Sequence, residues 1–236
     1  MPGGMHNLSD IKALGAKTAE VHKRLARRFG TPRWAGPEDP LESMIWTILS
    51  QNTNDLNSER AYNNLRKSFP NWEMLLEVPA ARIARAIRVG GLANQKSKHI
   101  RNFLKWVKRT YGRLNLNAMC RMTPEEAVET FTRHKGIGLK TVYVTLLFAC
   151  GKDVFPVDTH IYRIVRRLGL VPEKASRDKV TELMQPLVPR GKCLPLHINL
   201  IRFGRSICKS QRPLCRDCPL VDLCPYLEKS PRPSAA

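Results

Sequence analysis

The segment 134–141 (HKGIGLKT) carries a lysine directly behind a short turn that contains two glycines. Glycines let a backbone turn sharply and approach a ligand closely, and the amides at a helix start favour an anion. At such a start the helix dipole and burial both disfavour an ammonium group, and a lysine with a lowered pKa is a nucleophile. Lys140 is therefore a candidate for covalent catalysis. A plain interhelical turn and an exposed phosphate-binding lysine are the alternatives.

A carboxylate follows in the segment 157–163 (VDTHIYR). Asp158 or Thr159 could be the N-cap of a helix that begins there, because both residue types accept hydrogen bonds from the first helical amides. A capping aspartate is also held ionised by those amides. The capping role and a functional role for Asp158 are therefore compatible.

The seven cysteines fall into two groups: three scattered residues and four spaced C-x6-C-x2-C-x5-C. We expect no disulfide scaffold, because the chain is long and shows no export signal, so the clustering indicates a metal. Four thiolates suit a [4Fe–4S] cluster or a zinc ion. A single C-x2-C pair without a histidine favours iron–sulfur. The scattered residues are Cys120, Cys150 and Cys193, and the clustered ones are Cys208, Cys215, Cys218 and Cys224.

Helical periodicity dominates the elements that must position these residues, and no alternating strand pattern stands out, so we predict an all-α fold of many short helices. Residues 139–150 are apolar nearly all round, which is typical of a buried helix, with a buried strand as the alternative. Residues 31–40 are predicted to be a linker, and the tail 229–236 to be disordered. A further helix is predicted from Ile11 to Phe29, ending at Gly30, and others over 41–50 and 94–111. Two more helices are predicted to start in the capping box of Thr123 and Glu126 and at Asp158.

The net charge of +20, with a pI near 10.1, favours a polyanionic partner, and nucleic acid is the leading candidate. Both 1–152 and 153–236 carry an excess of basic residues. A basic but inert surface, or a ribosome-associated protein, is the alternative. No apolar run is long enough for a membrane span and the N-terminus lacks a secretory pattern, so we expect an intracellular protein, in the cytoplasm or nucleoid of a prokaryote.

These elements, in this order and separation, resemble endonuclease III and its helix-hairpin-helix glycosylase superfamily over nearly the whole chain. The segment 135–141 resembles the hairpin with the catalytic lysine, and 155–164 resembles the segment with the catalytic aspartate. The cysteine spacing is similar to that family's [4Fe–4S] loop. The segment 41–55 resembles the helix and loop whose polar residues enter the DNA, and 90–100 resembles the loop with a wedging leucine, here Leu92.

The resemblance implies two helical domains that flank a DNA-binding groove. One would be a six-helix domain, 34–152, and the other would join 1–33 to 153–236 and hold the cluster. Lys140 and Asp158 would face each other across the groove. The expected partner is double-stranded DNA with damaged bases or abasic sites, bound by a monomer that does not associate with membranes.

The implied mechanism flips the damaged nucleotide out of the duplex. Leu92 would wedge the stack apart, and Gln51 or Asn52 would fill the gap. Lys140 would attack C1′ of the sugar, while Asp158 accepts a proton and stabilises the developing positive charge. The remaining DNA contacts would come from the hairpin and from the basic loop at the cluster, through Lys135, Gly136, Ile137, Gly138, Thr141, Lys209, Arg212 and Arg216.

Lysine at position 140 favours the bifunctional branch, which removes oxidised pyrimidines and nicks the strand by β-elimination. A monofunctional glycosylase, and a non-catalytic damaged-DNA-binding or redox-sensing protein, are the alternatives. Three departures from the family bear on substrate range. His134-Lys135 stands where the family usually has Leu-Pro, the loop reads SQNTND rather than SAQATD, and Gly90 replaces an apolar residue beside the wedge.

Overall fold

The structure is a computed structural model that describes residues 8–36 and 38–226, and these residues form helices and loops without a strand. The prediction of an all-α fold is confirmed. The tail 229–236 lies outside the described residues. The α-helices are α1 (Leu8–Phe29), α2 (Pro40–Leu49), α3 (Asp55–Ser68), α4 (Met74–Glu77), α5 (Ala80–Ala86), α6 (Ala93–Tyr111), α7 (Pro124–Phe131), α8 (Leu139–Phe148), α9 (Thr159–Arg167), α10 (Arg177–Met184) and α11 (Cys193–Ser206).

The helix boundaries follow local capping chemistry. The capping box that precedes α7 is present, with Thr123 and Glu126 bonding each other's backbone amides. Helix α6 ends at Gly112, which has a φ of +72°, and α1 is followed by Gly30 at +80°. Residues 139–148 are helical, which decides between the helix and the strand for this apolar segment. In the described part of the chain, no helix is long and apolar enough to cross a membrane.

The chain divides into two compact units. The central unit is Gly36–Lys152 and contains α2 to α8. The terminal unit joins the segment up to Ala35, with α1, to the segment from Asp153 onward, with α9 to α11. In the terminal unit α11 packs against both α1 and α9, and Lys17 donates a 2.6 Å hydrogen bond to the carbonyl oxygen of Leu168. Two segments distant in sequence thus form one core.

The core of the central unit is built where α2 packs against α8. Both helices bury large apolar side chains completely, and each such side chain contributes roughly 1.5–3 kcal/mol when it leaves water. Thr145 of α8 also lies 3.8 Å from the sulfur of Met44. The buried side chains are Leu41, Met44, Ile45, Ile48 and Leu49 of α2, and Val142 and Leu146 of α8.

His134, three residues after the end of α7, belongs to an aromatic cluster. Its ring centroid lies 4.3 Å from that of Trp106 and 5.7 Å from that of Phe103, and Phe131 completes the group. Burial lowers the pKa of His134, because the charged ring would lose its hydration. His134 therefore acts as an aromatic packing residue where the resembled family has an apolar one.

Cys120 and Cys150, which appear as scattered residues in the sequence, form a disulfide with a Cα–Cα distance of 5.0 Å. The bond joins the 3-10 turn Asn117–Arg121 to the residues that follow α8. The sequence predicts no disulfide scaffold, so this bond is a correction for Cys120 and Cys150, while the clustered cysteines and Cys193 are not in disulfides. The single disulfide arises because the tertiary fold brings together two cysteines that are 30 residues apart.

We predict that the double substitution Cys120→Ser/Cys150→Ser lowers the unfolding temperature. Closing a loop of 30 residues stabilises a fold by about 3–4 kcal/mol, mainly by restricting the unfolded chain, which corresponds to about 10 °C. The measurement is thermal unfolding followed by circular dichroism, with and without dithiothreitol. The reductant should lower the parent's unfolding temperature to that of the variant and leave the variant unchanged. Equal unfolding temperatures in oxidising buffer would contradict this.

We also predict that the free energy of unfolding falls as the pH drops below about 6.5, the ordinary pKa of a histidine side chain. Because the folded pKa of His134 lies below that value, the unfolded chain binds the proton more tightly, so acid favours unfolding. His134→Phe keeps the aromatic packing and removes the titration. The difference in unfolding temperature between about pH 7.5 and about pH 5.5 should therefore shrink in the variant. An undiminished difference would show that other groups carry the effect.

Candidate functional site

The turn between α7 and α8 depends on Gly136. Its φ is +88°, and a Cβ at this position would overlap the ring of His99 on α6. Gly138 has a φ of −105° and open space around it, so neither its backbone nor its surroundings require glycine. Ile137 is buried and its amide donates to the carbonyl oxygen of His134 at 3.0 Å, while Lys135 is exposed. Of the two glycines, Gly136 is thus the one that the close approach demands.

Lys140 is the second residue of α8 and is half-buried in its first turn. The amides of a first helical turn have no intrahelical acceptor, so this end of α8 carries a partial positive charge. The next residue, Thr141, is only 2% exposed, and its hydroxyl lies 3.3 Å from the side-chain amide of Gln51. The buried side chain of Thr141 therefore connects the first turn of α8 to Gln51.

Gln51 and Asn52, which the sequence leaves as equal candidates, have different surroundings. The side-chain amide of Gln51 donates a 2.8 Å hydrogen bond to the carbonyl oxygen of Gly136. Asn52 is exposed at the tip of the loop after α2 and has a φ of +51°. Gln51 thus ties this loop to the hairpin, while the side chain of Asn52 extends from the loop.

Leu92 precedes α6 and combines two unusual properties. Its φ is +49°, a conformation that costs a residue with a Cβ about 1 kcal/mol or more, and its side chain is 50% exposed. Gly90, two residues earlier, is buried, and a Cβ there would lie 2.9 Å from the Cβ of Ala61 on α3. Glycine is therefore required at position 90 because the loop packs tightly against α3.

Asp158 is the N-cap of α9 in the terminal unit. One of its carboxylate oxygens accepts the amide of Ile161 at 2.7 Å, and the residue is half-buried. The three residues before it are buried, and the ring of His197 lies 2.9 Å from the carbonyl oxygen of Pro156. A carboxylate has two oxygens with several acceptor positions, so the capping bond leaves Asp158 able to accept further hydrogen bonds or a proton.

The four clustered cysteines line one cavity together with apolar side chains of α9 and α11. Arg167 lies 3.3 Å from the sulfur of Cys208, a contact that suits a thiolate. Burial raises the pKa of Cys218 to about 11 and also raises that of Cys224, and the neighbouring thiols add to both shifts. Across residues 8–36 and 38–226, no three histidine, cysteine or acidic side chains are already arranged around a metal position. The four soft donors around one cavity nevertheless fit an iron–sulfur cluster.

Arginines of α9 hold the loop that carries these cysteines. Arg163 donates to the carbonyl oxygens of Cys208 and Gly204, at 2.8 and 3.0 Å, and Arg167 donates to those of Lys209 and Ser210, at 2.7 and 3.1 Å. Neither arginine stands out in the sequence as a functional residue, although their spacing of four places both on one helical face. The helix that begins at Asp158 thus also anchors the cysteine loop. The basic residues Lys209, Arg212 and Arg216 of this loop are exposed.

Residues 45–190 match the family described as "HhH-GPD superfamily base excision DNA repair protein". A DNA glycosylase candidate of Arabidopsis thaliana is 36% identical over 193 residues, which are 78% of this chain and 66% of that protein. Endonuclease III of Sulfolobus acidocaldarius is 32% identical over 186 residues, which are 78% of this chain and 81% of that enzyme. The chain thus spans about two thirds of the plant relative and most of the archaeal one.

The fold is similar to that in a structure of a non-covalent endonuclease III–DNA complex. The TM-score is 0.79 and the identity 24%, and the match covers 91% of this chain and 97% of that one. The structural match shows the shared fold, and the family model and the sequence relatives show the family. The chain is therefore a DNA glycosylase of the endonuclease III family, within the HhH-GPD superfamily of base excision DNA repair proteins.

Proposed function

We propose that this chain is a bifunctional DNA glycosylase and abasic-site lyase that removes oxidised pyrimidines from duplex DNA. The observation that carries the proposal is the place of Lys140, in the first turn of α8 directly behind the Gly136 hairpin. A primary amine at this position is the nucleophile that a lyase needs and that a purely hydrolytic glycosylase does without.

Two exposed loop residues of the central unit, both non-glycine residues with left-handed backbones, would enter the duplex. Leu92 would separate the stacked bases beside the lesion, and Asn52 would fill the space that the flipped nucleotide leaves. We assign the filling role to Asn52 rather than to Gln51, because the amide of Gln51 is bonded to Gly136. Extruding the nucleotide costs roughly a few kcal/mol, which contacts of the protein with the opened duplex would offset.

The hairpin and the cysteine loop would bind the phosphates. Gly138 is the N-cap of α8, where the helix dipole favours an anion, and Lys135 and the backbone of Gly136 lie in the turn directly before it. Because the side chains of Ile137 and Thr141 are buried, any contribution of these two residues to DNA binding would come from their backbone. On the cysteine loop the cations would be Lys209, Arg212 and Arg216.

In the proposed reaction the amine of Lys140 attacks C1′ of the sugar, and the bond from C1′ to the base breaks. The base leaves with the bonding electron pair and takes up a proton. Asp158 accepts a proton from the attacking amine and stabilises the positive charge that develops on the sugar. Opening of the sugar ring gives a Schiff base between Lys140 and C1′. Loss of a C2′ proton then expels the 3′ phosphate, which nicks the strand.

Cys208, Cys215, Cys218 and Cys224 would hold a [4Fe–4S] cluster, because they line one cavity and supply four sulfur donors. When bound, the cluster would crosslink the loop and fix its basic residues for phosphate binding. The bonds from Arg163 and Arg167 to the loop backbone would orient the loop on α9.

We predict that borohydride traps the parent protein on abasic duplex DNA and that Lys140→Ala abolishes trapping, because only the Schiff base of Lys140 is reducible. The measurement is the covalent complex on a denaturing gel. Lys108→Ala, an exposed lysine near the end of α6 with no role in the proposed site, is the control and should still trap. Equal trapping by Lys140→Ala would remove Lys140 from the reaction.

The same assay on duplexes with single lesions separates the alternatives. A bifunctional enzyme releases an oxidised pyrimidine and nicks the strand without further treatment. A monofunctional enzyme releases the base, and the strand breaks only after alkali is added. Binding to damaged or abasic DNA without base release would instead indicate a non-catalytic protein.

We predict that the purified protein is brown and contains about four iron atoms and four acid-labile sulfides, as a [4Fe–4S] cluster requires. Cys218→Ser should lose most of the iron, since it removes a ligand. Cys193→Ser, a buried cysteine outside the loop, should keep the iron. Zinc in place of iron and sulfide would reject the cluster.

A further inference from the structure

Lys96 on α6 is a buried lysine with no role in the reaction described above. It is 2% exposed, and its ammonium donates hydrogen bonds of 2.7 Å to the carbonyl oxygen of Leu49 and 2.8 Å to that of Gly90. Lysine is among the residue types that folded proteins bury least often, so a buried lysine calls for a physical reason. Here the reason lies in the two carbonyl groups that it joins.

These two carbonyls lie at the bases of the loops of the central unit that carry the exposed residues Asn52 and Leu92, both with left-handed backbones. Leu49 is the last residue of α2 and lies three residues before Asn52. Gly90 lies two residues before Leu92. A single ammonium thus links the two loop bases, which are separated by about forty residues in sequence.

The chemistry of the contact explains why a cation is used. The carbonyl of Leu49 is one of the last four of its helix, which lack an intrahelical donor, and a positive charge is favoured at that end. Burial lowers the pKa of Lys96 to about 8, so the group still carries its proton at neutral pH and retains all its donors. An apolar residue of the same length would avoid this desolvation cost but would leave both carbonyls without this donor.

We propose that Lys96 is a positioning residue that holds the Asn52 loop and the Leu92 loop at a fixed separation for joint entry into duplex DNA. The inference rests on the proposed function, because it acts through the two residues assigned to wedge and fill the duplex. It predicts that Lys96 matters where a base must be unstacked, and little where the substrate is already unstacked.

The test compares lyase rates on an abasic site in a duplex with rates on the same site in a single strand, which needs neither wedging nor filling. Lys96→Met should lower the duplex rate about tenfold or more, and leave the single-strand rate within about twofold of the parent. Lys98→Met, an exposed lysine on the same helix, is the matched control and should leave the ratio of the two rates unchanged. The fluorescence of 2-aminopurine beside the lesion should show reduced unstacking by Lys96→Met alone.

A double-variant cycle tests whether Lys96 acts through the wedge. If it does, Lys96→Met combined with Leu92→Ala should lower the duplex rate less than the product of the single effects. If the two substitutions act independently, so that their effects on the duplex rate multiply, the inference is overturned. Equal losses of rate on the duplex and on the single strand would overturn it as well. Lys96→Gln, which retains a shorter donor, is measured in parallel. If neither variant folds like the parent, Lys96 serves the fold and the positioning role is rejected.

The outcomes also separate this inference from the proposed function. A parent protein that cleaves neither substrate would overturn both. A parent that cleaves both, with a ratio that Lys96→Met leaves unchanged, would reject only the role of Lys96.

Discussion

At Gly136 the backbone adopts a left-handed conformation and packs against the ring of His99, so that a side chain at this position would overlap the ring. This close approach fixes where α8 begins, and therefore where Lys140 lies along the helix. It also presents the carbonyl of Gly136 to the side chain of Gln51, which ties the loop after α2 to the same turn. A larger residue at 136 would therefore disturb the hairpin, the first turn of α8 with Lys140, and the loop after α2 together.

In the terminal unit, the single helix α9 likewise positions two features. Its first turn is capped by Asp158, and its next turns carry the arginines that hold the cysteine loop by its backbone carbonyls. Close packing with α11 is possible because Gly204 leaves room for His160. One short helix therefore sets the position of the carboxylate and of the loop relative to each other, within one rigid element.

The exposed loops of the central unit combine strain with anchoring. Asn52 and Leu92 adopt left-handed backbones that non-glycine residues seldom occupy, and each such conformation persists only when neighbouring contacts determine it. In this protein the contacts at the loop bases are polar, through the half-buried Gln51 and the buried Lys96, while Asn52 and Leu92 at the tips are exposed. Because these loops are already held at their bases, little conformational freedom is lost when the tips contact a ligand, which suits the proposed entry of Asn52 and Leu92 into the duplex.

The sequence by itself determined the features that depend on neighbours along the chain. The helical class and the capping box of Thr123 follow from local periodicity and hydrogen bonding. The sequence also limited 139–148 to a helix or a buried strand, and the cap of α9 to Asp158 or Thr159, and the structure then decided for the helix and for Asp158. The order and spacing of such local elements carry the resemblance to the family.

Only the tertiary structure decided the rest, because it depends on residues that are far apart in the chain. No local pattern distinguishes Gln51 from Asn52, since the difference is a bond to Gly136, 85 residues away. The pairing of Cys120 with Cys150 and the burial of Lys96 between two loops likewise require the folded chain. Long-range contacts select partners by geometry, and that geometry exists only once the helices have packed.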